Sequence, residues 1–305
     1  MNLGELISEQ REIKPNSLKA YLIALKKLNE NKDIEDLKFL SNKSRVKEIL
    51  EPLALSTKKN YLTAILVALP VVKGNNALIE YYREILEELN KKYMAEQLKQ
   101  KKSPKQEENW LEQSELDKVR KELEKKVKDM DLKGRETINN RMFNTLQDLV
   151  IASLYTLLPP IRLDYSPMEV IKTRKQIKEG KNYLLNIGRN KKIFIIQEFK
   201  NVKSQGKKEI AISPKLNTLL NEFLKYNIEE YFLLNNRGTV LSPNGLGKAI
   251  TRIFKPTGKQ ITINLLRHIF ISNNVDMDAL KKAENLAEDM MHSTSTQQNI
   301  YYKKE

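Results

Sequence analysis

Leu18, Tyr21, Leu22, Leu25 and Leu28 recur at three- and four-residue intervals, the spacing that gathers apolar side chains on one helix face. Ser17 stands just before them as a candidate cap. A short helix is predicted from Ser44 to Leu50. Ser56 then precedes a second long stripe, Tyr61, Leu62, Ile65, Leu66 and Leu69, which Pro70 should end or kink. A further stripe starts near Asn76 and carries Leu78, Ile79, Tyr82, Ile85, Leu86 and Leu89. Four helices in residues 1–92 amount to a complete small bundle.

The pattern then lapses. Between Lys91 and Lys105 there are six lysines and one glutamate, and Pro104 interrupts the helical spacing. Residues 93–109 therefore read as a basic linker, either plainly solvated or laid as a strap across a phosphate backbone. The second domain, 110–305, opens with Trp110, Leu111 and a charged helix from Ser114. The most apolar helix follows, Ile138 to Leu158, with Leu146, Leu149, Val150, Leu154, Tyr155 and Leu157 as expected core, and Pro159-Pro160 stops it.

Three short strand-like runs come next, Tyr183–Ile187, Lys192–Ile196 and Glu209–Ile212. Gly188-Arg189-Asn190 and a lysine-rich turn ending at Gly206 separate them, which predicts an antiparallel meander. Helices are expected at Lys215–Tyr226, Gly245–Phe254, Ile263–Asn273 and Asp278–Met290. The expected fold class is mainly α: an N-terminal helical bundle, then a mixed α/β domain with a small antiparallel sheet. No internal repeat is present.

Charge narrows the partner. The 305 residues include 54 Lys and Arg against 39 Asp and Glu, a net charge of +15. That balance favours a polyanion, nucleic acid ahead of an anionic membrane surface. Cysteine is absent and only His268 and His292 are present, which excludes disulfides, thiolate nucleophiles, iron–sulfur clusters and cysteine- or histidine-rich metal sites. A carboxylate-bound Mg²⁺ has no motif behind it. The first residues have no apolar core of a signal peptide, and no run approaches a membrane span. A soluble intracellular protein with no membrane partner is expected.

Four residues stand out for chemistry. Arg162 follows the proline stop of a buried helix, where it could simply cap carbonyls or pair with Asp164 or Glu169. Arg267 falls on the polar edge of Ile263–Phe270, where a surface ion pair is the ordinary role. His292 lies in a turn beyond a helix, a common capping position, and Tyr301 lies where aromatics often serve as packing anchors. Together they fit attack on a phosphodiester. Two arginines can hold the non-bridging oxygens, a tyrosine hydroxyl can attack, and a lysine can protonate the departing 5′ oxygen. A tyrosine needs positive charge beside it to react at neutral pH.

Met291-His292-Ser293-Thr294, with Tyr301 nine residues after His292, resembles the Gly-His-Ser…Tyr ending of the tyrosine recombinase (phage integrase) family. Leu265-Leu266-Arg267-His268 resembles its second arginine box, His-x-x-Arg-His, and Arg162 matches the first arginine. The resemblance implies a core-binding domain at 1–92 and a catalytic domain at 110–305. It also implies a catalytic lysine in the last sheet turn: Lys203 is the best match, with Lys200, Lys207 and Lys208 as rivals. The spacing favours Tyr301 over the adjacent Tyr302.

Several positions depart from the family pattern. Asn264 stands where the family has histidine; an amide can hydrogen-bond a phosphate but cannot take a proton. Tyr165 replaces the usual acid after the first arginine, leaving Asp164 to buttress the site, and Pro159-Pro160-Ile161 replaces a glycine. Such features resemble divergent members from eukaryotic mobile elements and large DNA viruses or their satellites.

The resemblance implies an enzyme that cleaves and rejoins duplex DNA through a 3′-phosphotyrosyl bond, without ATP, metal or other cofactor, to integrate or excise an element. Its implied partners are double-stranded DNA, three further copies in a homotetramer on synapsed sites, and accessory DNA-bending proteins. It would act at DNA, in a host nucleus for a eukaryotic or viral element and in a cytoplasm otherwise. The alternatives are a recombinase-derived DNA-binding protein that does not cut and a type IB topoisomerase-like enzyme.

Overall fold

In the computed structural model, which describes residues 2–297, the chain divides into two compact units, Met1–Lys102 and Ser103–Glu305. The first is built from helices alone: α1 (Leu3–Gln10), α2 (Pro15–Leu28), α3 (Lys43–Leu50), α4 (Leu55–Ala68) and α5 (Asn76–Leu98). Helix α1 is an addition to the expected four. It is too short for a repeating stripe and is held by only two buried residues, Leu3 and Ile7. Helix α2 starts ahead of Ser17, because Pro15 occupies the first turn, where its missing N–H costs nothing. Ser56 likewise lies inside α4, which has no side-chain cap.

The stripes meet in a core around Ile7, Leu25, Leu40, Leu62, Ile65 and Tyr82. The Tyr82 hydroxyl donates to the Leu40 carbonyl at 2.6 Å, giving this buried ring the partner it needs. Residues 93–98 of the lysine-rich segment continue α5.

The second unit begins with α6 (Pro104–Asn109), started by a reciprocal Ser103–Gln106 capping box. Buried Asn109 accepts from the Gln260 N–H at 2.7 Å, tying α6 to this unit. Then follow α7 (Gln113–Asp129), α8 (Asn140–Thr156), β1 (Met168–Ile171), β2 (Asn182–Asn186), β3 (Lys192–Ile196), α9 (Val202–Gln205), β4 (Lys208–Ala211) and α10 (Pro214–Tyr226). The chain continues through α11 (Pro243–Ile253), α12 (Ile263–Asn274), α13 (Met277–Asp289) and α14 (Thr294–Thr296).

The three expected strands pair antiparallel as β2, β3 and β4, but the sheet is mixed, because β1 joins parallel to β2. Its four residues, Met-Glu-Val-Ile, are too few to alternate, and they include a charged residue, Glu169, which is ion-paired with Lys181 at 2.5 Å. Helix α8 lies at the centre of the core, with Leu146, Val150 and Leu154 fully buried among residues that include Phe223, Phe232, Leu266 and Ile269. Each such side chain contributes roughly 1.5–3 kcal/mol on burial. Among the described residues, no helix is long and apolar enough to cross a membrane.

Candidate active site

The loop after α8 is held by two polar clamps. Buried Tyr155, on the last turn of α8, donates its hydroxyl to the Arg162 carbonyl at 2.8 Å. From the other side, Asn182 at the head of β2 donates to the Asp164 and Glu198 carbonyls at 3.0 and 2.9 Å. Its side-chain oxygen accepts from the N–H groups of Gln197 and Glu198 at 2.9 and 2.8 Å. One buried amide thus joins the arginine loop to the end of β3, where the lysine-rich segment departs. Tyr165, next in the loop, packs edge-on against Tyr155 and Phe194.

Helix α12 supplies the second arginine. Thr262 caps it by accepting from the Leu265 N–H, and its buried stripe is Leu265, Leu266 and Ile269. That register turns Arg267 to a partly exposed edge. Arg162 and Arg267 line one cleft of about 240 Å³, together with Asp164, Asn201, Gln205 and Lys208. Neither guanidinium makes a hydrogen bond or ion pair among the described residues.

Asp164 feels both charges. Burial raises its carboxyl above the ordinary value of 3.8, and the fields of Arg162 and Arg267, with backbone hydrogen bonds, only partly offset that. The cleft therefore holds two cations beside a single acid whose charged form burial disfavours. This is a receptive arrangement for a dianionic or phosphodiester group, which two guanidiniums can grip through paired N–H donors.

The structure brings some of the expected residues together and not others. Lys203 is on α9, exposed, and does not line the arginine cleft; Lys208, at the start of β4, does. The expected turn has become a short helix closed by Gly206 at φ 69, a conformation that favours glycine. Asn264 is on α12 but opens onto a neighbouring cleft lined by Leu163, Lys248, Lys255 and Lys259.

His292 lies just past α13, half-buried, with its Nδ1 3.2 Å from the Ser293 carbonyl, and is not among the residues lining the arginine cleft. Tyr301 and its neighbour Tyr302 fall outside the described residues. Tyr155 and Asn182 carry no sign in the sequence of their positioning roles. The first reads as core, and the second is a lone amide heading an apolar strand.

No protein-family model matches this chain, and no curated protein matches it.

Proposed function

We infer that this protein cleaves and rejoins duplex DNA as a tyrosine recombinase-like enzyme. The observation that carries this reading is the convergence of Arg162 and Arg267, from distant parts of the chain, on one cleft where neither guanidinium makes a hydrogen bond or ion pair among the described residues. Two guanidiniums and Lys208 against the single carboxyl of Asp164 leave this cleft with an excess of positive charge, and the net charge of +15 points to a polyanion.

In this reading the scissile phosphate sits between the two arginines, which stabilise the charge that grows on its non-bridging oxygens. The Tyr301 hydroxyl attacks phosphorus and the bond to the 5′ oxygen breaks, leaving a 3′-phosphotyrosyl ester. A lysine ammonium from the β3–β4 segment gives its proton to the departing 5′ oxygen, and Lys208, on the cleft wall, is favoured over Lys203 by position. Asn264 cannot accept the tyrosine proton, so that proton passes to solvent or to the phosphate itself. Rejoining is the reverse: a 5′ hydroxyl attacks the phosphotyrosyl bond, whose energy has been conserved.

The test is covalent trapping. Nicked suicide duplexes, drawn from candidate sites or random pools, are incubated in EDTA with wild type, Tyr301→Phe and Tyr302→Phe, then run on denaturing gels. An adduct lost with Tyr301→Phe alone is the expected result. Loss with Tyr302→Phe alone would shift the nucleophile by one residue. Tight duplex binding without any adduct would make the protein a DNA-binding relative that does not cut.

A further inference from the structure

Between α11 and α12 the chain makes a single 3-10 turn, Lys255–Thr257, and then runs irregularly from Gly258 to Thr262. Thr262 is the cap of α12, and Leu265 and Leu266 in the next turn are buried. This stretch therefore fixes where α12 starts and where Arg267 emerges from it. An irregular stretch has no ladder for its backbone groups, so each needs a partner found elsewhere. The Lys259 N–H donates to Thr257 Oγ1 at 3.3 Å, and the Ile261 carbonyl accepts from Thr251 Oγ1 at 3.0 Å. The Gln260 N–H reaches Asn109 at the end of α6, 151 residues earlier in the chain, at 2.7 Å.

Asn109 could be an ordinary polar end to a short helix. Its Nδ2 group does donate to the Lys105 carbonyl at 2.9 Å, a bond local to α6. The side chain is only 8% exposed, however, and its oxygen is committed to the distant loop. A second tie joins the same two segments, because the Lys259 ammonium donates to the Glu108 carbonyl. Immediately beyond α6, Leu111 is buried in the core of this unit and Trp110 packs against it, so the helix has a fixed seat. Helix α6, the 258–262 loop and α12 thus form a continuous run of contacts that ends at Arg267.

We propose that Asn109 is a positioning residue for strand cleavage: by holding the Gln260 N–H it sets the start of α12 and keeps Arg267 aimed into its cleft. The inference rests on the strand-cleavage reading. An arginine already in place stabilises the charge growing on a phosphate without reorganising at the moment of reaction, and one that drifts by an ångström loses much of that advantage. Duplex affinity is spread over many phosphate contacts and should feel the drift far less. The seat of α6 is then a control point, since whatever shifts this helix also shifts the second arginine.

The experiment compares wild type with Asn109→Ala and Asn109→Asp for melting temperature, duplex affinity and single-turnover cleavage at saturating duplex. Aspartate keeps the accepting oxygen and gives up only the bond to Lys105. Asn109→Ala should cleave roughly tenfold to a hundredfold more slowly, while its duplex affinity stays within about twofold of wild type. Asn109→Asp should recover most of the lost rate. Adding Asn109→Ala to Arg267→Ala should cost little further rate, because the residue through which it acts is already gone. Wild-type cleavage by Asn109→Ala would overturn the proposal, as would a full further loss in the double variant. Should the alanine variant fold poorly, hydrogen exchange on wild type decides the matter: the Gln260 N–H should be protected, and free exchange there would also overturn it. An adduct in wild type with no change in Asn109→Ala sinks this inference alone, whereas no adduct in wild type sinks the strand-cleavage reading and this inference with it.

Discussion

Among the described residues, Arg162 and Arg267 face one cleft without a hydrogen bond or ion pair of their own, and Asp164 is the acid that both fields reach. Burial nevertheless wins at Asp164 and holds its carboxyl above 3.8. A carboxyl whose folded pKa is raised binds protons more tightly folded than unfolded. Its charged form therefore opposes folding, and that penalty grows as pH rises through the folded value. Asp164→Asn should be more stable than wild type near neutrality, with the difference shrinking as the pH falls toward 3.8. Urea unfolding of both proteins across that range is the check, and an Asn variant weaker than wild type at neutral pH would contradict it.

The loop carrying Arg162 depends on two buried polar groups. Tyr155→Phe removes one hydrogen bond to the Arg162 carbonyl and should cost about 1 kcal/mol. Asn182→Ala removes four bonds at once and should cost about 3 kcal/mol, since several backbone groups lose their partners. Both should slow adduct formation more than they weaken duplex binding, because the arginine is displaced and not deleted. Chemical denaturation and single-turnover trapping separate the two effects; slowed binding with normal cleavage would argue against a positioning role.

Lys208 and Lys203 make different predictions for proton donation. If Lys208 protonates the leaving 5′ oxygen, Lys208→Ala should slow cleavage by about 10²–10⁴-fold. A duplex with a bridging 5′ sulfur at the scissile position should restore the rate, because a thiolate leaves without a proton. Lys203→Ala should show little of either effect. Rescue of Lys203→Ala by the sulfur substrate, with Lys208→Ala unaffected, would return the role to Lys203.

Helices with full apolar stripes could be read from the chain because periodicity and burial follow the same rule. Leu62 and Ile65, or Leu146, Val150 and Leu154, lie where their spacing puts them. Elements without a period were hidden. Helix α1 has two anchors, and β1 has four residues whose pairing to β2 is fixed only in three dimensions. At the cleft, Arg162 and Arg267 stood out because chemistry asks for two guanidiniums near one phosphate. The choice among the lysines did not, because it depends on α9 forming where a turn was expected. Asn182 was invisible for the same reason: its four partners come from two loops that only the folded chain brings together.

Met291 ends α13 in a left-handed conformation at φ 56. The His292 N–H bonds the Ala287 carbonyl at 3.0 Å and the Met291 N–H bonds the Glu288 carbonyl at 2.9 Å, the pairing of a Schellman turn. Glycine ordinarily fills that position, since any Cβ is strained there. The methionine side chain is 95% exposed, so its removal loses almost no packing. Met291→Gly should therefore stabilise the end of α13 by about 1 kcal/mol, whereas Met291→Ala, which keeps a Cβ, should change little. Hydrogen exchange at the Met291 and His292 amides would read the difference directly, with slower exchange expected in the glycine variant alone. Equal protection in both variants would mean that the turn stores no strain.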